Sequence, residues 1–313
     1  EPVIIEEDAK VVDIKLRVQG KAEILIEDFM ILANETVATH IFNMELPFIY
    51  RIHEKPDEAK METLAGMLRG FGIKFPKTED IKPMDIQNIL NKAVGTADEN
   101  FVQTAVLRSM QRAKYSPECL GHFGLADKYY THFTSPIRRY PDLLVHRLID
   151  KYIIDGDRDY DKNLMEEIAF IADNSSSKER RALVIEREAD DYTACKYMSD
   201  KIGKQYTGFI NGMTKNGFFV ELDNGINGYV DFMSIDYDDY NFDEVYMCAR
   251  GEISGKKFSL GDRVKVAVRY VDLTLYQITF SLINDKKTNK INSKKKKVVS
   301  KKNGKRKGNH NKS

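Results

Sequence analysis

The sequence predicts an α+β protein in three parts: a helix-rich mixed unit, a small barrel of five strands, and a basic end without a fold of its own. Two observations carry this. Apolar residues follow helical spacing through much of the first two hundred positions, then switch to a period of two from about Gly203. After Asp285 the acids vanish: thirteen of the 49 Lys and Arg lie beyond it and no Asp or Glu does, leaving residues 1–285 with 36 basic against 48 acidic residues. A net charge of +1 therefore hides an acidic body and an intensely basic tail. KKKKVVSKKNGKRKG buries no core and is expected to be disordered. Its charge density suits an arm for nucleic-acid phosphates better than a solubilising end.

The elements follow in order. The opening acidic stretch reads as an extended lead-in. A long helix is expected from about Lys21 to Met44, apolar over most of its surface and hence buried. Glu27 and Asn34 lie seven apart on one face of it, placed to form an internal hydrogen-bond lock or to face a site. Residues 54–100 read as small helices with loops, an inserted helical hairpin. Another helix is expected from Asp142 to about Ile154, with Leu144, Leu148 and Tyr152 on its inner face. A further one starts after Asn174-Ser175, with Ser176 and Glu179 as a capping box. Its stripe of Ala182, Ile185, Ala189, Tyr192 and Cys195 is expected to pack on the core, and Gly203 to cap its end.

YTGFINGM, GFFVEL, GYVDF, KVAVRYV and ITFSL then read as five short strands, with Asp223-Asn224-Gly225 a hairpin signal. Five strands in about 80 residues suggest an OB-type barrel. Alternation sends one of Phe218 and Phe219 inward, leaving the other as a base-stacking face. Asp236, Asp238 and Asp239 lack EF-hand spacing and read as a solvated loop.

Composition excludes several classes. At 42% hydrophobic and 31% charged residues, the chain is a globular protein rather than a disordered or fibrous one. No run approaches the roughly 18 apolar residues that span a bilayer, so no membrane partner is expected. Cys119, Cys195 and Cys248 lie far apart, without the spacing of a zinc site or a disulfide framework. The chain opens without an initiator Met or a leader, as a piece of a longer protein would. A monomer in the cytoplasm is the default expectation.

The most informative stretch is HFTSPIRRYPDLLVHR, His132 to Arg147. Thr134 and Ser135 can cap a helix and Pro136 suits its first turn. A helix start favours negative charge. Arg138 and Arg139 add guanidinium forks that match phosphate oxygens. Phe133, Tyr140, Tyr129 and Tyr130 offer faces for bases. His132 and His146 read as structural hydrogen-bonding groups. A solvated helix start is the bland alternative for a generic Thr-Ser-Pro-x-Arg-Arg.

The full run resembles the signature of the ribonuclease II/ribonuclease R (RNB) family of processive 3′→5′ exoribonucleases. IEDFMILANETVA (Ile26 to Ala38), PFIYRIHEKP (Pro47 to Pro56), SMQRAKYSPE (Ser109 to Glu118) and HFGLA (His122 to Ala126) resemble further family segments, in order. GFFVEL, SLGDRVKV and ITFSL resemble the RNA-binding domain named after ribosomal protein S-one. The resemblance implies the C-terminal part of an RNB nuclease domain over residues 1–202. It implies an OB-fold RNA-binding domain over 203–285 and a disordered Lys-rich tail over 286–313. It implies hydrolysis of single-stranded and structured RNA to 5′-mononucleotides, with Arg138 acting on charge developing at the phosphoryl group. It further implies Arg139 on the RNA backbone or paired with Asp142, Glu27 near the sugar of the 3′ nucleotide, and Glu186 near product release. RNA is the partner, with the ribosome or structured RNA a second one for the tail.

Two departures accompany the match. The aspartate cluster that holds the family's catalytic magnesium is not found here, so metal ligands are expected outside this chain and the chain alone is expected to be inactive. In the barrel, the usual histidine is Asp231 and the usual late arginine region reads Leu275-Tyr276-Gln277. The alternative from a different class is a non-catalytic RNA-binding or ribosome-associated protein; four clustered aspartates upstream would discriminate the two.

Overall fold

The structure is a computed structural model, and it describes residues 2–7, 10–17, 19–69, 71–96, 99–235, 238–244 and 246–283. The basic tail and Asp236 lie outside the described residues. The lead-in is a hairpin of β1 (Pro2–Glu7) and β2 (Lys10–Leu16). Helix α1 (Lys21–Asn43) follows, and β3 (Tyr50–Ile52) pairs antiparallel with β4 (Lys114–Ser116). Between these strands lies the insert, which has three helices rather than a hairpin: α2 (Glu58–Arg69), α3 (Pro83–Ala93) and α4 (Glu99–Ser109). Then come α5 (Tyr140–Ile149), continued by a π turn over Asp150–Ile154, and α6 (Lys162–Ser199). Leu144, Leu148 and Tyr152 face inward as their spacing predicts.

The barrel closes in the order β11-β12-β7-β6-β5. Its strands are β5 (Gln205–Thr214), β6 (Gly217–Leu222), β7 (Asn227–Asp231), β11 (Arg263–Asp272) and β12 (Gln277–Leu282). They are the five expected ones. A small sheet of β8 (Tyr240–Asp243), β9 (Cys248–Gly251) and β10 (Lys257–Ser259) fills the long connection. There Asp238 corrects the expectation of a solvated loop. It is buried, and its carboxylate accepts hydrogen bonds from the N–H groups of Ile253 and Ser254 at 2.8 and 2.9 Å. These bonds and the Ser254 hydroxyl hold its pKa below the usual carboxylate value, the hydroxyl contributing most.

Closure leaves little room inside. A Cβ on Gly228 would stand 2.3 Å from Cε2 of Phe280, a fully buried ring. Gly228→Ala must shift that ring or the backbone, and is expected to cost about 1–3 kcal/mol. A lowered urea midpoint with unchanged slope is the measurement that checks it.

Burial corrects two helices. Only Asn34, Ala38 and Ile41 of α1 are buried; Ile24, Leu25, Ile26, Phe29 and Leu32 are exposed. In α6 every residue from Arg180 to Tyr192 is exposed, so the stripe through Ala182, Ile185 and Ala189 does not pack among the described residues. The reason is that α6 is one helix, anchored at its ends. Ile168, Ile171 and Ala172 join one apolar cluster with α1 and α5, whereas Cys195 and Met198 join another with the insert and the barrel. The expected helix start at Ser176 does not exist. The Ser176 hydroxyl donates to the Ala172 carbonyl and accepts from the Tyr115 N–H, and Glu179 pairs with Arg51. Nor does Gly203 cap the helix. It stands beyond the cap residue Asp200 with φ of 83°, and turns the chain toward the barrel.

Candidate active site

The signature run builds a pinned turn ahead of a helix, rather than a helix start at Thr134. Residue Arg139 takes the cap position of α5, and Pro141 lies in the first turn. Asp142 is the hub. Its side chain is fully buried, and Oδ1 accepts from the Ser135 N–H at 2.8 Å and from Nη2 of Arg139 at 2.7 Å. A carboxylate in the first turn is also favoured by the helix dipole. The Ser135 carbonyl in turn accepts the N–H groups of Arg138 and Arg139 at 3.3 and 3.1 Å. Backbone and carboxylate thus fix both ends of a five-residue turn, and Ile137 and Arg138 project from it into solvent.

Two further ties hold the turn to the body. Buried Asn34 of α1 donates from Nδ2 to the Tyr130 hydroxyl at 3.1 Å and accepts the Phe133 N–H at 2.9 Å. Of the two roles open to an Asn34/Glu27 face, Asn34 is the lock. His146 donates from Nε2 to the Phe133 carbonyl at 3.0 Å, and its ring stacks on Phe133 at 4.4 Å.

Beneath the turn lies a set of neutral rings. The Tyr115 hydroxyl meets Nδ1 of His132 at 2.8 Å. Burial pushes Tyr115 up to about 12, and burial followed by the nearby Arg139 and Arg51 pulls His132 down to about 2. Both groups are therefore uncharged at neutral pH, and the contact between them is a hydrogen bond between neutral partners. His122, against His53 and Tyr130, is pulled to about 4, chiefly by burial. Arg51 closes the set: its guanidinium pairs with both oxygens of Glu179 at 2.7 and 3.0 Å and lies 4.7 Å from the Tyr115 ring centre.

A pH dependence of stability follows. Both histidines stay neutral in the fold at pH values where the unfolded chain, near the ordinary 6.5, already takes up protons. Their contribution is complete above about 6.5. It declines as pH falls, through about 4 for His122 and on toward about 2 for His132. The urea midpoint is expected to drop between pH 7 and pH 5, and a flat profile would contradict the buried-neutral assignment.

The expected site residues divide by placement. Arg138 is exposed, and its guanidinium has no hydrogen bond or ion pair among the described residues. Arg139 is committed to Asp142. Tyr140 is half exposed and takes a hydrogen bond from Arg147 at 3.3 Å. Tyr129 lies against Phe42, the rings tilted by 34° with centroids 4.3 Å apart. Burial corrects one stacking assignment, since Tyr130 is closed off under the turn, and decides another: of Phe218 and Phe219, Phe218 is the ring that points into the barrel and Phe219 the one left outside. Glu27 and Glu186 are exposed on α1 and α6, and no hydrogen bond or ion pair ties either to the turn among the described residues. Sequence reasoning missed Arg51, Tyr115 and Glu179 as the supports of the turn; Arg51 and Glu179 are partners 128 residues apart, and Tyr115 reaches His132 across 17 residues and Ser176 across 61. Among the described residues no group of three or more His, Cys, Asp or Glu could hold a metal ion. The described residues thus do not assemble the ligands of a magnesium site.

An exposed guanidinium with no hydrogen bond or ion pair among the described residues, on a turn held by Asp142, Asn34 and His146, has the chemistry that suits a phosphate. Comparisons with known proteins agree. The RNB domain matches residues 1–155, and the S1 RNA binding domain matches residues 199–283. Ribonuclease R of Aquifex aeolicus is 45% identical over 262 residues, which is 83% of this chain and 37% of that protein. Ribonuclease R of Escherichia coli K12 is 39% identical over 279 residues, 86% of this chain and 34% of that protein. The solved structure of Mycoplasma genitalium RNase R with ribose methylated single-stranded RNA superposes with a TM-score of 0.81 at 31% identity, over 90% of this chain and 45% of that one. The apo form of the same protein gives a TM-score of 0.83 with the same coverage and identity. The chain belongs to the RNB family and matches the C-terminal portion of ribonuclease R. It spans about a third of the length of the curated relatives it matches. No helix among the described residues is long and apolar enough to cross a membrane.

Proposed function

We propose that this chain supplies the C-terminal part of a cytoplasmic, magnesium-dependent 3′→5′ exoribonuclease that degrades single-stranded and structured RNA to 5′-mononucleotides. The observation that carries the reading is Arg138. It is exposed on a braced turn and makes no hydrogen bond or ion pair among the described residues, whereas its neighbour Arg139 is spent on Asp142. Phosphodiester hydrolysis builds negative charge on the phosphoryl oxygens, and a preorganised guanidinium aimed at that charge stabilises the transition state. Arg138 takes this role. Arg139 shapes the turn. Glu27 meets the sugar of the terminal nucleotide, where a carboxylate can accept the 2′-OH that distinguishes RNA. Glu186 acts at the terminal nucleotide during product release. Residues 1–202 form the nuclease part and 203–285 the RNA-binding barrel; the tail at 286–313 adds an arm for structured RNA or the ribosome.

Labelled poly(A) in the presence of magnesium tests the reading. This chain alone is expected to release little or no mononucleotide. Joined to a complete RNB domain, it is expected to release them processively from the 3′ end. Release by the chain alone that Arg138→Ala abolishes would place the metal centre within this sequence. No release by the completed protein would sink the exonuclease assignment.

A further inference from the structure

Between the insert and the barrel lies a cleft that no part of the nuclease reading uses. Its volume is 350 Å³, within the ~300–1,000 Å³ of sites that enclose small molecules. Helix α2 forms one wall and α4 another; the third is Met247, just before β9, with Leu260, just after β10. Phe101, Ala105 and Leu260 are buried residues that line its deep part, and Met67 and Met247 are half-buried beside them. Polar groups are few. The hydroxyls of Thr63 and Ser109 donate to the Ala59 and Ala105 carbonyls of their own helices, at 2.9 and 2.8 Å, so neither proton is left for a ligand.

Charge enters the lining only through Lys60 of α2 and Arg108 of α4, and no acid lines the cleft among the described residues. Both cations are exposed, and neither side chain makes a hydrogen bond or ion pair among the described residues. Nη2 of Arg108 stands 3.6 Å from where a Cβ on Gly212 would lie, so the guanidinium sits at the barrel end of the cleft. Met247 is an independent sign. Its φ of 44° is in the left-handed region, and its carbonyl accepts the Leu260 N–H at 3.2 Å, tying together the two residues of the third wall. Backbone strain of this kind concentrates at binding sites, and here it sets an adaptable thioether in the wall.

We propose that this cleft is a binding site for an amphipathic anion with an aliphatic body, an acyl-chain carboxylate, whose chain lies against Phe101 and the two methionines and whose carboxylate is taken at the rim by Lys60 and Arg108. The site is independent of the RNA-binding reading. An apolar wall with two cations at its edge matches an apolar chain that ends in one negative charge. A nucleotide fits it less well. A base edge carries several donors and acceptors, and polar groups buried without partners are costly. The Lys-rich end of the chain has the wrong sign of charge to occupy it. A ligand here touches the insert and the barrel at once and so holds the two together.

The experiment is isothermal titration calorimetry of the full chain with decanoate below its micellar concentration, with thermal melts showing that each variant folds. One decanoate per chain is expected to bind saturably, and Tm to rise with its concentration. Octanoate, two methylenes shorter, is expected to bind about tenfold more weakly. Arg108→Ala and Lys60→Ala are each expected to weaken decanoate binding about three- to fivefold, through loss of a charge-assisted contact. Thr63→Trp fills the mouth of the cleft from an exposed helical position and is expected to abolish binding. Absence of decanoate binding by the folded, unmodified chain would overturn the site. Decanoate binding unchanged in the folded Thr63→Trp and cation variants would also overturn it, and would assign the uptake to the bare apolar residues of α1 and α6. Tighter binding of AMP than of decanoate would overturn the acyl assignment and give the cleft to a nucleotide.

Discussion

Arg138→Ala is expected to lower kcat for RNA hydrolysis by about 10²–10³-fold in a nuclease that carries this chain with a complete RNB domain. The affinity for single-stranded RNA should change little, since one phosphate contact among several is lost. Stability should move by no more than about 0.5 kcal/mol, because the side chain is exposed and makes no hydrogen bond or ion pair among the described residues. That combination is diagnostic: a group that acts on charge appearing only in the transition state alters kcat and not binding. Lysine at the same position supplies a point charge without the planar fork, so Arg138→Lys should recover only part of the rate. Single-turnover kinetics at saturating RNA give the measurement. A variant that raises KM with kcat unchanged would remove the assignment.

Asp142→Ala is expected to show the opposite profile, with the largest effect on folding. The carboxylate is fully buried and holds both the Ser135 N–H and the Arg139 guanidinium. Removing one partner of a buried pair costs about 3–5 kcal/mol. Here the lower end applies. Oδ2 of Asp142 and Nε of Arg139 are buried without partners, so the pair is not fully satisfied, and Arg139 is 20% exposed to solvent. A loss of about 3 kcal/mol is a large fraction of a marginal stability and should lower the urea midpoint clearly. Asp142→Asn retains a buried acceptor and should fall between the two. If Asp142→Ala unfolds at the same urea concentration as the unmodified chain, the hub described for the turn is not what holds it.

How much of this was legible depended on how local the cause was. The five barrel strands could be read because alternation and the Asp-Asn-Gly turn are local signals, and Gly225 indeed takes a left-handed φ of 86°. The inward face of α5 was legible for the same reason. Burial of α1 and α6 was misread, because apolar periodicity reports that a face can be covered and not what covers it. Ser176 and Glu179 were misread because their partners, Tyr115 and Arg51, are 61 and 128 residues away. At the candidate site, the arginine pair and the aromatics were visible in the signature. Their division into one exposed arginine, one committed arginine and one closed-off tyrosine was not, since Asn34 and Asp142 make that division through contacts in space.

The bare middle of α6 has a geometric consequence. A continuous helix of 38 residues is about 57 Å long, and each residue advances it by about 1.5 Å and turns it by about 100°. With one end seated among α1 and α5 and the other against the insert and the barrel, the stretch from Arg180 to Tyr192 acts as a ruler with a fixed phase. Substitutions there leave the phase intact. Deleting a single residue swings everything beyond it through more than a quarter turn, whereas deleting seven, close to two whole turns, only shortens the reach by about 10 Å. The spacing of the two halves is thus written in residue count along this segment, more than in the identity of any residue it contains.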